Sequence, residues 1–334
     1  MKAPYFWSAG LDPSSRDAAP VTRKILTPLA WLYAQLTARR LRKTKPVKVD
    51  AVVICVGNLT AGGTGKSPIV QYVRDAMTEQ TGLRVATLSR GYGGTLKGPL
   101  RVDPDRHFAA EVGDEPLMLA QKGESWIGRD RALAGHVMAA DGIDLIVMDD
   151  GHQNPSLHKD LSIIVIDTEA GFGNGHVIPK GPLREPGPIG LSRADLVIAM
   201  GNQTLPDSVQ ASGKPVYKAQ LTPTALAPAG KLVAFAGIGR PEKFFDSLRA
   251  LDCDLVDAVP FDDHHPYRKD DLAYLNSLAT DHSAKLITTE KDFARLTAIQ
   301  RRDILTLPIS VEFEDRGGLM QVLRTAVERA KRHG

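Results

Sequence analysis

The chain has 334 residues, 43% of them apolar, which is material for about two domains with sizeable cores. A net charge of +3 is too small to imply nucleic acid, and two cysteines, Cys55 and Cys253, exclude a disulfide framework or a spaced zinc site and favour a reducing compartment. No apolar run approaches the roughly 18 residues that would span a bilayer, and no signal-peptide pattern opens the chain.

Residues 1–20 give few structural signals beyond the aromatic trio Tyr5, Phe6 and Trp7. Ile25, Leu29, Leu32 and Leu36 then recur at helical spacing, with Leu26, Trp31 and Tyr33 beside them. Arg23, Lys24, Arg39, Arg40, Arg42, Lys43, Lys45 and Lys48 bracket this stripe, and Pro28 puts the expected helix start near Thr27. An apolar stripe with basic ends suits an interfacial helix on an anionic membrane. A helix packed on its own domain, followed by a solvated basic linker, accounts for the same residues.

The organising stretch is residues 52–70. A buried parallel strand is expected over 51–56, then the loop Gly62-Gly63-Thr64-Gly65, then a helix opening on Lys66 and Ser67 with Pro68 in its first turn. Glycines let backbone N–H groups wrap a phosphate, Lys66 adds a full charge, and Ser67 offers a hydroxyl to Mg²⁺. The loop departs from GxxxxGK[ST] in one place, with Thr60 where the first glycine would stand. Further strands are expected at 83–88, 143–148, 162–166 and 196–200, a βαβ alternation that argues for a parallel sheet with helices on both faces. Pro- and Ala-rich residues 213–230 read as a linker. A second set follows, with strands at 232–236, 255–259, 286–289 and 309–313 and an amphipathic helix at 319–332.

Candidate chemistry lies at strand ends and loops. Asp149-Asp150 closes an apolar strand and could serve Mg²⁺ and a water or substrate. Asp114 could be a general base or a helix cap, Asp263-His264-His265 a tuned imidazole or a surface turn. Arg184, in the Pro- and Gly-rich segment 177–186, could clamp an anion. Thr288-Thr289-Glu290-Lys291-Asp292 also sits at a strand's C-terminal end.

Taken together, VGNLTAGGTGKSP, LSRGYGG, GDEP, DDGHQN, PKGPLREP, AFAGIGRPEKFF, FDDHH and TTEKD resemble, in order and across most of the chain, the tetraacyldisaccharide 4'-kinase family of lipid A biosynthesis. The resemblance implies a P-loop NTPase-like α/β fold with a second, smaller α/β domain. Its parts would be a membrane-associating segment 1–48, a kinase domain 49–212, a linker 213–230 and a C-terminal domain 231–334 closing over the site. It implies ATP and Mg²⁺, with Thr60, Gly62, Gly63, Thr64, Gly65, Lys66 and Ser67 on the nucleotide and Ser67 and Asp149 on the metal. Asp114, His264 and Asp150 would be catalytic, and Asn58, Arg90 and Arg184 would meet substrate. The acceptor would be an acylated disaccharide, met by a monomer on the cytoplasmic face of a bacterial inner membrane. The family usually has an apolar residue where His152 stands and often a histidine where Asn154 stands. Two other classes compete. A regulatory ATPase or GTPase is disfavoured because Thr289-Glu290-Lys291-Asp292 is not a guanine-reading order and the phosphate loop lacks an early lysine. In a small-molecule kinase the N-terminal helix would be ordinary packing.

Overall fold

The computed structural model describes residues 3–12 and 14–332. The chain runs through α1 (Pro20–Lys43), β1 (Val52–Gly57), α2 (Lys66–Thr81), β2 (Val85–Ser89), β3 (Leu100–Arg101), α3 (Ala109–Val112), α4 (Asp114–Ala120) and β4 (Ser125–Ile127). It continues with α5 (Arg131–Ala140), β5 (Leu145–Asp149), β6 (Leu161–Asp167), α6 (Gly187–Ser192), β7 (Leu196–Met200), α7 (Asp207–Gln210) and β8 (Val216–Pro223). A second series comprises β9 (Leu232–Ala236), α8 (Pro241–Ala250), β10 (Leu255–Pro260), α9 (Lys269–Asp281), β11 (Lys285–Thr288), α10 (Glu290–Arg295) and β12 (Ile304–Thr306), before β13 (Ile309–Phe313) and α11 (Arg316–Arg332).

These strands form a nine-stranded sheet ordered β13-β8-β7-β6-β1-β5-β2-β4-β3 and a four-stranded parallel sheet ordered β10-β9-β11-β12. The large sheet is parallel except at its two edges, where β13 and β3 run antiparallel to their neighbours. β1 lies between β5 and β6, buried on both faces, which is why it reads as a continuous apolar run. Val52, Ile54 and Val56 face one core with Ile69, Val73 and Met77 of α2 and Leu319 and Leu323 of α11. Val53 and Cys55 face the other with Ala134 and Met138 of α5. The small sheet is likewise covered on both faces. The chain is thus an α/β protein of two helix-flanked sheets.

Three expectations change. Residues 213–230 are not all linker, because 216–223 form β8 inside the large sheet; its mixed polarity and Pro223 hid it. Residues 231–334 are not one unit, because β13 pairs with β8 and α11 packs on the β1 face. Amphipathicity says that a helix needs a core, not which core. The N-terminal helix starts at Pro20, seven residues before Thr27, and runs through Pro28. The carbonyl of Lys24 that Pro28 cannot serve lies on an exposed stretch where water can reach it.

Candidate functional site

The parallel register brings the first pieces together. Val56 of β1 lies beside Asp149 of β5, so the phosphate loop and the acidic strand end leave the sheet side by side. Gly62 at φ +114° and Gly65 at φ +78° occupy backbone regions that side chains disfavour. Thr60 replaces the first glycine because it forms a bridge to Leu183, and the N–H of Ala61 donates to Pro182 O at 2.8 Å. That zipper carries Arg184 to the loop.

Arg184 Nη1 donates to both oxygens of Asp150, at 2.9 and 2.8 Å, and Lys66 Nζ lies 3.6 Å from Asp150 Oδ1. Burial works to raise the Asp150 carboxyl, but Lys66 and Arg184 outweigh it and hold it down at about 2. Asp150 also takes a left-handed φ of +51°, a strained conformation for a side-chain-bearing residue. Asp149 behaves oppositely. Burial, then repulsion from Glu115 and Asp150, pushes its carboxyl up to about 7. Its Oδ2 accepts from Ser89 Oγ at 3.3 Å, while the buried Oδ1 has no hydrogen-bond partner among the described residues. A buried carboxylate oxygen without a donor, at the strand end beside the phosphate loop, fits a hard cation. Among the described residues no cluster of three or more His, Cys, Asp or Glu could hold a metal by itself, so such an ion would also lean on nucleotide phosphates.

The small sheet supplies the rest. Asp114 opens α4, and among the described residues its Oδ1 accepts only from the Glu115 N–H, at 3.0 Å. Its Oδ2 accepts from His264 Nδ1 at 2.9 Å and from Arg295 Nε and Nη2 at 2.9 and 2.5 Å, both residues reaching across from the small-sheet unit. Burial favours the neutral acid, yet the His264 hydrogen bond and the Lys291 and Arg295 charges hold the Asp114 carboxyl far below the ordinary range. His264 sits at φ +61°, its ring edge-on to Tyr92 with centroids 6.0 Å apart. Lys291 Nζ donates to Glu115 Oε1 at 3.1 Å, and Ser67 Oγ lies 3.4 Å from that same oxygen.

The expected residues therefore converge, with two exceptions. Asn58 is fully buried and braces the loop by donating to Thr60 O at 2.9 Å and Thr64 Oγ1 at 3.2 Å. Arg90 is exposed at the end of β2 and makes no side-chain hydrogen bond among the described residues. Glu115 and Arg295 escaped the sequence reading as site residues, and Lys291 and Asp292 entered it only as part of the strand-end segment 288–292, with no role. Glu115 lay inside GDEP, while nothing local marked Arg295, three residues past TTEKD.

The two departures from the family pattern are structural in their contacts. Asn154 Oδ1 accepts from Ser156 N and Oγ at 2.9 and 2.8 Å, closing a turn. His152 is buried against Gly57, its Nε2 hydrogen-bonded to Gly190 O at 2.9 Å. Burial first, then Arg193, pushes its imidazole down from 6.5 to about 4. An unfolded chain takes up a proton in that window while the buried ring stays neutral, so stability falls with falling pH there by about 1.4 kcal/mol per pH unit. We expect His152→Phe to flatten the slope of urea-unfolding midpoints between pH 6.5 and pH 4.5; an unchanged slope would put the acid sensitivity elsewhere.

A family model described as Tetraacyldisaccharide-1-P 4'-kinase matches residues 22–328. The chain is 57% identical over 330 residues to a tetraacyldisaccharide 4'-kinase of Hyphomonas neptunium, covering 99% of each chain. It is 48% identical over 335 residues to one of Maricaulis maris, covering 98% of this chain and 97% of that one. Among solved structures it is similar to LpxK of Aquifex aeolicus, a crystal structure described as in complex with ATP, at a TM-score of 0.72 and 26% identity, covering 92% of this chain and 99% of that one.

Proposed function

The chain belongs to the tetraacyldisaccharide 4'-kinase family, and from that premise we propose that it moves the γ-phosphoryl group of ATP to the 4'-hydroxyl of a tetraacylated glucosamine disaccharide 1-phosphate. The product is the bis-phosphorylated lipid A precursor. The observation that carries the reading is Asp114: one oxygen saturated by donors from the small-sheet unit, the other holding a single hydrogen bond, one residue from the glutamate that meets Ser67.

The loop N–H groups and Lys66 receive the phosphates, and Arg184 fixes Asp150 beside Lys66. Ser67 and Asp149 would hold Mg²⁺, which neutralises phosphate charge when bound. The acceptor hydroxyl oxygen bonds to the γ-phosphorus, the β–γ bridging bond breaks with its electron pair leaving on ADP, and the hydroxyl proton passes to Asp114 Oδ1. In a loose phosphoryl-transfer transition state that proton leaves late, so a weakly basic carboxylate that orients the hydroxyl suffices. His264 and Arg295 aim it. Because these two donors come from the small-sheet unit, closure of that unit over the loop would complete the site.

The apolar stripe of α1 supports a peripheral seat on an anionic membrane, in our reading the cytoplasmic face of the bacterial inner membrane. Ile25, Leu29 and Trp31 are 67%, 54% and 64% exposed, and only Ala30 and Thr37 of the helix are buried. Ordinary packing, as in a small-molecule kinase, would bury that stripe. Among the described residues no helix is long and apolar enough to cross a membrane. The deciding experiment supplies γ-labelled ATP, Mg²⁺ and the tetraacyl disaccharide 1-phosphate in mixed micelles. Label is expected in the lipid. Release of inorganic phosphate with an unlabelled lipid would turn the reading to a regulatory ATPase.

A further inference from the structure

α4 and the turn that follows it face α10 across a seam of opposite charges. Lys122 pairs with Glu290 at 2.6 Å, Lys291 with Glu115 at 3.1 Å, and Arg295 with Asp114 at 2.5 Å. The last two cations are held very differently. Arg295 is 6% exposed and fully engaged: Nε and Nη2 go to Asp114, Nη1 to Asp292 Oδ1 and Gly237 O. Lys291 Nζ makes one hydrogen bond among the described residues, leaving two N–H groups without a protein acceptor. That bond ends on the oxygen that Ser67 Oγ approaches, so the ammonium stands one carboxylate oxygen from the phosphate loop. Burial disfavours its charge, but Glu115, Asp114 and Asp263 outweigh it and keep Lys291 an ammonium.

An under-coordinated cation between the base and the phosphate loop is placed where negative charge spreads during transfer. We propose that Lys291 is a catalytic residue, its ammonium leaving Glu115 to meet the equatorial oxygens of the γ-phosphoryl group as that group passes to the acceptor. A flexible stem and three rotatable donors suit such an exchange, whereas the fork of Arg295 is locked. The benefit is confined to the transition state because Glu115 holds the charge beforehand. Since Lys291 arrives from the small-sheet unit, charge neutralisation and base orientation reach the site on one element.

The proposal rests on the kinase reading above, and one titration separates them. Calorimetry of the full chain compares binding of Mg²⁺-ADP with and without aluminium fluoride, a planar mimic of the phosphoryl group in flight. In the unsubstituted chain, fluoride is expected to tighten binding by about 10²-fold or more. Lys291→Met is expected to keep ADP affinity within about threefold and lose most of that gain, with Lys291→Arg recovering part of it. Full gain in Lys291→Met overturns the proposal. So does an equal loss of ADP affinity, which would make the lysine a structural tie between α4 and α10. No fluoride gain in the unsubstituted chain removes the phosphoryl-transfer reading itself.

Discussion

Asp114→Asn is expected to lower kcat by about 10²- to 10⁴-fold, the range of a lost general base, while the KM for ATP stays put. The amide keeps the shape of the carboxylate but cannot accept the hydroxyl proton. Nothing that touches the loop glycines or Lys66 changes, so nucleotide binding should not move. His264→Ala should cost less, because Arg295 still orients the carboxylate through two donors. Steady-state rates on the lipid acceptor check both. An Asp114→Asn enzyme within about tenfold of the parent would discard Asp114 as the proton acceptor and leave the phosphate loop to account for the rate.

Arg295→Met should destabilise the protein by about 3–5 kcal/mol, the cost of stripping one partner from a buried ionic network. Asp292, with no exposed surface, keeps only Tyr267, Gly237 N–H and Thr289 as donors, and Asp114 keeps His264. Arg295→Lys should recover little, since a single ammonium cannot reach Asp114, Asp292 and Gly237 O together. Urea unfolding followed by circular dichroism measures the loss. A loss below about 1 kcal/mol would place the network in the range of a solvent-screened pair. Activity should fall too, because His264 alone would then hold Oδ2 of Asp114.

Much of this site is legible in the chain because phosphate loops and strand-end acids are local objects. Asp149 and the phosphate loop leave the sheet side by side through the β1–β5 register. Lys291 and Arg295 were different. Their partners stand more than 170 positions earlier, and only the packing of α10 on α4 joins them. Asp150 carried a subtler limit: as an acid at a strand end it looked free for catalysis, whereas the segment zipped to 59–61 brings Arg184 onto it. β13 and α11 were misassigned for a related reason, since pattern predicts an element and its face but not which of two sheets receives it.

The small sheet enters the chain between β8 and β13, and those two strands are paired with each other. Pro223 faces Ile309, and the Thr224 N–H donates to Pro308 O at 3.0 Å, so the outgoing and returning chains are bonded at the neck. A unit hung on one strand can swivel in any direction. One hung on an antiparallel ribbon flexes easily across the ribbon's plane and resists shearing within it. Were the small-sheet unit to move, the paired neck would confine it to a single swing, and His264, Lys291 and Arg295 would leave and reach α4 together.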